Sequence, residues 1–293
     1  MSFTCLTYSI RALTNLHVGS GEENYGLIDK LVQRDVLTGL PCIHPSSLKG
    51  AIKQYLDHQG MTPETQKAIC GSDASINKGE SGTGYQSGEY AFLGGHLLAL
   101  PVAAAQHTYV MVVSPGILAH LADMAAQLGF KWKKDAWTSL KDIKNDKLPM
   151  STDSAEVLDL ADFHVTVKRP AEDKKAAFEA LAELVGTGPV VLVTDAMLRD
   201  LAGDLRLPVI ARNSLNDGQS VNLWYEQVLP RQTRMLTFIL VPEGDPDVRT
   251  FDALVQKQVV QVGGNASVGY GFTRWTAVHS LPQPVSPQPD SQS

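Results

Sequence analysis

The chain has 293 residues, of which 43% are hydrophobic and 19% charged, and a net charge of −6 at pH 7. That apolar content suffices for one substantial core, or a core with a satellite subdomain, and excludes a disordered chain. The acidic balance argues against a surface coated with nucleic acid but leaves room for a local basic groove.

Residues 3–13 are rich in β-branched and aromatic side chains and read as a strand. The stretch that follows, "NLHVGSGEENYGLIDKLVQR" (15–34), is a loop because of Gly19, Gly21 and Gly26, and it gathers His17, Glu22, Glu23 and Asp29. In "VQRDVLTGLPCI" (32–43) a Thr38-Gly39 turn joins short extended pieces. A helix is expected over 45–59, capped by Ser46 or Ser47, with Leu48, Ile52, Tyr55 and Leu56 as its apolar stripe. Lys49 and Lys53 fall on one face of it near the N-terminal turns. Residues 71–89 hold many Gly and Ser and read as a flexible insertion.

Strands are expected near 90–102 and 107–114, then a helix over 116–129. The segment 130–168 reads as irregular, and it precedes a helix over 170–185 and a buried strand at 189–195. Asn216-Asp217-Gly218 has hairpin-turn chemistry and sits between alternating apolar residues, so 206–227 is expected to be a β-hairpin. A strand at 234–241, a helix at 247–258 and a strand at 259–262 lead to "GGNASVGYGF". The proline-rich end, 280–293, reads as a disordered tail. The irregular order of elements favours an α+β fold over a doubly wound parallel sheet, and the absence of an internal repeat means that repetition would come from assembling copies.

The common phosphate and hydrolase signatures are missing: there is no GxxxxGK[ST], no HExxH and no GxSxG. What remains is backbone suited to phosphate. The helix N-terminus at Ser46 and Ser47 offers N–H groups and a positive dipole end beside Lys49, and the Gly263-Gly264-Asn265 turn lets another backbone come close. From Asp29 to Lys53 four cations (Lys30, Arg34, Lys49, Lys53) outnumber Asp29 and Asp35, against the overall sign. Cys5, Cys42 and Cys70 are widely spaced and form neither a disulfide framework nor a zinc pattern, which points to the reducing cytoplasm. No apolar run reaches the roughly 20 residues that cross a bilayer, and "MSFTCLTYSIRAL" is not built like a signal peptide.

The combination and order of these segments resembles a known family. "LHVGSGEENYGLIDKLVQRDVLTGLPCIHPSSLKGAIKQYL" is similar to the N-terminal signature of RAMP proteins, and most of all to the backbone subunit of type III-B (Cmr) CRISPR effector complexes. The likeness continues through "LLALPV" (97–102), "LWYEQVLPRQT" (223–233) and "VQVGGNASVGYGF" (260–272). It implies a modified RRM-like, ferredoxin-like palm over 1–279 with insertions at 71–89 and 130–168, and a projecting thumb hairpin at 206–227 with its tip at Asn216, Asp217 and Gly218.

The resemblance also implies a function. Copies would stack along a CRISPR RNA with other Cmr subunits and cut bound target RNA at regular intervals, away from any membrane. Asp29 matches the family's catalytic aspartate, and His17 and Glu226 match positions with supporting roles. Arg34, Ser46, Ser47, Lys49, Lys53, Gly263, Gly264 and Asn265 would contact RNA. Cleavage would use the RNA 2′-OH, assisted by a Mg²⁺ or Mn²⁺ ion at Asp29 and no organic cofactor. On the residues alone, Asp29 also fits a turn, His17 a packing residue and Glu226 a salt bridge at the hairpin base. A silent guide-RNA scaffold and a small-molecule phosphate enzyme stay open beside the nuclease. The chain departs from the family pattern at "GGHLLALPVAAA", where an RNA contact is either missing or supplied by His96, and at His44-Pro45.

Overall fold

"FTCLTYSIRA" becomes β1 (Phe3–Ala12), buried along most of its length because it is paired on both edges. The computed structural model describes residues 2–21, 26–72, 86–132, 135–152, 157–186, 188–217, 219–256 and 258–279. After β1 come β2 (Cys42–Ile43), α1 (Pro45–His58), α2 (Pro63–Cys70), β3 (Ala91–Ala104), β4 (His107–Val113) and α3 (Pro115–Gln127). A run of short elements follows: β5 (Met150–Ser151), β6 (Val157–Leu160), β7 (Phe163–Thr166), α4 (Glu172–Val185), β8 (Val190–Leu192) and α5 (Asp195–Leu201). The chain then forms β9 (Val209–Asn216), β10 (Gln219–Gln227), β11 (Arg234–Pro242), α6 (Val248–Val255), β12 (Val259–Gln261) and β13 (Phe272–Ala277).

The centre of the sheet runs β13-β1-β11-β3, every neighbour antiparallel. With α1 between β1 and β3, and α6 between β11 and β13, this is the βαββαβ arrangement of a ferredoxin-like, RRM-like palm. The α+β expectation therefore holds. β3 continues past the palm to pair with β4, which runs parallel to β8, so the stretch between β3 and β11 extends the same sheet. At Gly94 (φ 82°) a Cβ would sit 2.6 Å from the Ile43 carbonyl oxygen, which is how β2 comes to lie on β3.

Leu48, Ile52, Tyr55 and Leu56 of α1 are buried as the periodicity required, against a core that includes Leu6, Tyr8, Phe238 and Trp275. The cap is different from the expectation. Pro45 occupies the first helical position, so His44 is the N-cap and makes no side-chain cap bond, while Ser46 and Ser47 fall inside the first turn. Thr62, Ser114 and Thr194 do cap α2, α3 and α5 through their hydroxyls. The segment 130–168 is also more ordered than composition suggested, since β5, β6 and β7 lie within it. Their two- to four-residue length leaves no periodicity to read.

The hairpin forms, β9 against β10, from Gln219 opposite Asn216 to Gln227 opposite Val209. Most of β10 is exposed until Glu226 and Gln227, so the ribbon leaves the body of the protein and is anchored at its base. Asp217 takes φ 51° at the turn, the conformation that Asn-Asp-Gly chemistry favours. Glu22, Glu23, Gly218, residues 73–85 of the insertion and the tail 280–293 lie outside the described residues.

Candidate functional site

The glycine loop folds back on itself and onto the hairpin. Gln33 N–H donates to the Val18 carbonyl at 2.9 Å and Ser20 N–H to that of Leu31 at 3.0 Å. Leu16 and Leu229 exchange backbone bonds at 2.9 Å each, which ties the loop's start to the chain leaving β10. Its far limb joins the edge of β10. The amides of Asp29 and Lys30 both donate to the Tyr225 carbonyl at 3.1 Å, and Gln227 N–H donates to the Lys30 carbonyl at 2.9 Å. Half-buried Asp29 accepts the Tyr225 N–H on Oδ2 at 2.7 Å. Among the described residues Oδ1 accepts no bond.

One residue along, Glu226 is 1% exposed, and a carboxylate buried so deeply must be paired. Its Oε1 accepts from Trp224 Nε1 (2.8 Å) and Lys30 Nζ (3.3 Å). Its Oε2 accepts from Asn265 Nδ2 (2.8 Å) and Arg212 (3.2 Å). Burial by itself would raise the Glu226 pKa. The hydrogen bonds from Trp224 and Lys30, with the charges of His17 and Arg212, outweigh it and hold the carboxyl below its ordinary value. The two cations also lie over the Trp224 ring, Lys30 Nζ at 5.3 Å and the Arg212 guanidinium at 5.7 Å, and Arg212 reaches the Tyr270 ring at 5.8 Å.

His17 is buried beneath this cluster, and its Nδ1–H donates to the Gln227 carbonyl at 2.7 Å. The glycine turn closes on its backbone: Gly264 N–H donates to the His17 carbonyl at 3.0 Å. A Cβ at Gly263 (φ 83°) would stand 2.3 Å from that same oxygen, so only glycine fits. Asn265, itself left-handed at φ 64°, is thereby aimed at Glu226.

The structure thus brings together Asp29, His17, Glu226, Gly263, Gly264 and Asn265. The expected salt bridge at the hairpin base is present, and Trp224 and Glu226 share a face as strand alternation requires. Arg34 is tied elsewhere, to the Gly39 carbonyl and Asp204. Ser47 Oγ accepts from Gln33 Nε2 at 2.9 Å, and Gln33 also holds the Gly19 carbonyl and the His44 N–H, so the loop is moored to the start of α1. Ser46 is exposed at that start, and Lys49 and Lys53 are half-exposed along the same helix. Asn216 and Asp217 lie at the far end of the ribbon, about 23 Å from Glu226 at roughly 3.3 Å per residue. His96 is in a separate cavity of about 320 Å³ lined by Asp35, Cys42, His120 and Asp195, among others, where burial and His120 lower its pKa.

Lys30, Arg212 and Gln227 are members of the cluster that sequence reasoning had not assigned to it. The family resemblance pointed to Glu226, but most of its partners arrive from segments far apart in the chain, and no local signal announces them.

Residues 9–88 match the family model described as the RAMP superfamily. Along nearly its whole length the chain is similar to the "CRISPR system Cmr endoribonuclease Cmr4" of Pyrococcus furiosus, 26% identical over 90% of this chain and 92% of that protein. It is also similar to the "CRISPR system CMR subunit Cmr4" of Saccharolobus solfataricus, 24% identical over 92% and 95%. The chain is therefore similar to RAMP-superfamily proteins and to Cmr4. Solved structures share the fold: a chain of the type III-B Cmr-beta complex bound to cognate target RNA superposes with a TM-score of 0.74 at 23% identity, covering 94% of this chain and 97% of that one. Oligomeric Cmr4 from Pyrococcus furiosus gives 0.71 at 20% identity, covering 95% and 99%. The RAMP match takes in the loop that carries His17 and Asp29 and the helix that carries Lys49 and Lys53. Glu226 and Asn265 lie outside it and reach the loop only through the fold.

A divalent ion would find few protein ligands here. Among the described residues no three His, Cys, Asp or Glu side chains come together to hold a metal. Asp29 has one oxygen committed to Tyr225, and both oxygens of Glu226 are filled by four donors. The expected Mg²⁺ or Mn²⁺ at Asp29 would have that one open carboxylate oxygen as its protein ligand, and phosphate oxygens and water would have to complete its shell. No helix among the described residues is long and apolar enough to cross a membrane.

Proposed function

We propose that this chain is a repeated backbone subunit of a type III-B CRISPR ribonucleoprotein. It binds the guide RNA beside further copies of itself and other Cmr subunits, and cleaves complementary target RNA at regular intervals. Residues 1–279 form one RAMP domain in this reading, the β9–β10 ribbon is its thumb, and 280–293 is a tail. Cys5, Cys42 and Cys70 are thiols and not disulfides, in keeping with the reducing cytoplasm.

The observation that carries the reading is the placement of Asp29 at the foot of the ribbon, its backbone pinned to Tyr225 and one carboxylate oxygen free of bonds among the described residues. A target strand bent aside by the ribbon would present its kinked phosphate at that foot. Asp29 takes the proton of the 2′-hydroxyl as a general base. The 2′-oxygen then attacks phosphorus, the bond to the 5′-oxygen breaks, and that oxygen takes a proton from water, leaving a 2′,3′-cyclic phosphate and a 5′-hydroxyl. Glu226 holds the loop, the ribbon and the Gly263-Gly264-Asn265 turn in register around this step. Helix α1, with Lys49 and Lys53, lies along the guide phosphates, which read no sequence; specificity comes from base pairing.

Asp29→Ala in the assembled complex should cut target RNA slower by on the order of 10²- to 10⁴-fold. Unchanged cutting would favour the second reading, a silent guide-RNA scaffold. That reading draws on the bond from Tyr225 N–H, which gives Asp29 a structural role of its own.

A further inference from the structure

We infer that Lys30 is a further catalytic residue, which leaves Glu226 to meet the scissile phosphate of the bound RNA. The inference rests on the nuclease reading above and names the charge that stabilises its transition state.

Of the four donors on Glu226, Lys30 has the longest bond, 3.3 Å, and 51% of its side chain is exposed. The others are better seated: Trp224 and Asn265 donate at 2.8 Å, and Arg212 at 3.2 Å is 23% exposed. If the Lys30 amine departs, Oε1 keeps Trp224 and Oε2 keeps Arg212 and Asn265. The buried carboxylate is therefore never orphaned, and the penalty that normally fixes a lysine to a buried acid does not apply. The Lys30 backbone, by contrast, is fixed, because its N–H is bonded to Tyr225 and its carbonyl to Gln227. A stationary backbone with a releasable amine, next in sequence to Asp29, can place a positive charge where the carboxylate acts.

The chemistry calls for such a charge. As the 2′-oxygen attacks, negative charge grows on the non-bridging phosphate oxygens, and a positioned cationic side chain stabilises it. Arg212 cannot take this part while it is stacked between Trp224 and Tyr270 and bonded to Glu226. Lys30 is left.

The test is single-turnover cleavage by the assembled complex at saturating target RNA, comparing wild type, Lys30→Gln, Lys30→Arg and Asp29→Ala. Lys30→Gln should cut on the order of 10²-fold slower with target affinity nearly unchanged, and Lys30→Arg should recover most of the rate. Wild-type cutting by Lys30→Gln, with Asp29→Ala inactive, would overturn this inference alone; wild-type cutting by both variants would overturn the nuclease reading beneath it. A second measurement needs no variant. In the wild-type complex, target RNA carrying a 2′-deoxy nucleotide at the cleavage position should protect Lys30 from acetylation by an amine reagent. Equal labelling with and without that RNA would also overturn the assignment.

Discussion

Tyr225 and Asp29 are joined two ways: the tyrosine N–H donates to the Asp29 carboxylate at 2.7 Å, and its carbonyl receives the Asp29 amide at 3.1 Å, beside that of Lys30. The aspartate is thus both a reactive candidate and the clasp that closes a loop onto a strand edge. The two roles separate by substitution. Asp29→Asn keeps an oxygen for the Tyr225 N–H and should leave stability unchanged while abolishing base catalysis. Asp29→Ala should lose about 0.5–1.5 kcal/mol as well, the worth of one ordinary hydrogen bond. Urea unfolding of both variants, beside their cleavage rates, checks the split.

Glu226→Ala removes the acceptor of four donors, two of them cationic. Lys30 is half-exposed and loses little, but Arg212, Asn265 and Trp224 lose a partner at a site from which water is largely excluded. The expected cost is about 2–3 kcal/mol, read as a fall in the unfolding midpoint, together with loss of cleavage.

Strong acid should loosen this cluster. The folded-state pKa of Glu226 lies below the ordinary 4.5, so its contribution is complete above that pH and vanishes as pH falls through the depressed value. Asp252 behaves alike. Burial pushes its pKa up, but the bonds from His279, Tyr8 and Gln256 bring it below 3.8. Glu226→Gln should therefore flatten part of the stability loss below about pH 4.5, and Asp252→Asn another part, in urea midpoints measured against pH.

Gly263 and Gly264 make a matched pair. A Cβ at Gly263 would stand 2.3 Å from the His17 carbonyl oxygen in a left-handed backbone, whereas Gly264 has nothing within 4 Å. Gly263→Ala should cost about 2–3 kcal/mol, more than the roughly 1–2 of left-handed strain alone, and Gly264→Ala close to none. If RNA backbone passes over this turn, the stable Gly264→Ala protein should bind guide RNA more weakly. Filter binding against salt would show it.

Removing the ribbon tip around Asn216–Asp217 should leave the folded monomer's stability nearly unchanged, because the outer part of β10 is exposed. Cleavage spacing and efficiency in the assembled complex should suffer.

Much of this was legible in the sequence for identifiable reasons. The stripe of α1, the strand at β1 and the Asn-Asp-Gly hairpin are local patterns, and local patterns survive folding. The cap of α1 was misread because serine is the commoner cap, whereas Pro45 set the helix start two residues earlier. β5 to β7 are too short to carry a period, and β13 lies within a stretch whose glycines drew attention to turns. Asp29, His17 and Glu226 came from the family resemblance. Lys30, Arg212 and Gln227 could not, because their part depends on a strand edge, a stacked ring and a turn meeting at one point.

Glu226 has one more consequence. Its donors come from the loop, from each strand of the ribbon and from the glycine turn, so one carboxylate fastens four stretches of chain. The ribbon is then a lever with unequal arms, pivoting at Glu226, its long arm about 23 Å at roughly 3.3 Å per residue and its short arm ending at Asp29. A displacement at the tip either travels through the pivot to the aspartate or detaches the weakest strap, the lysine.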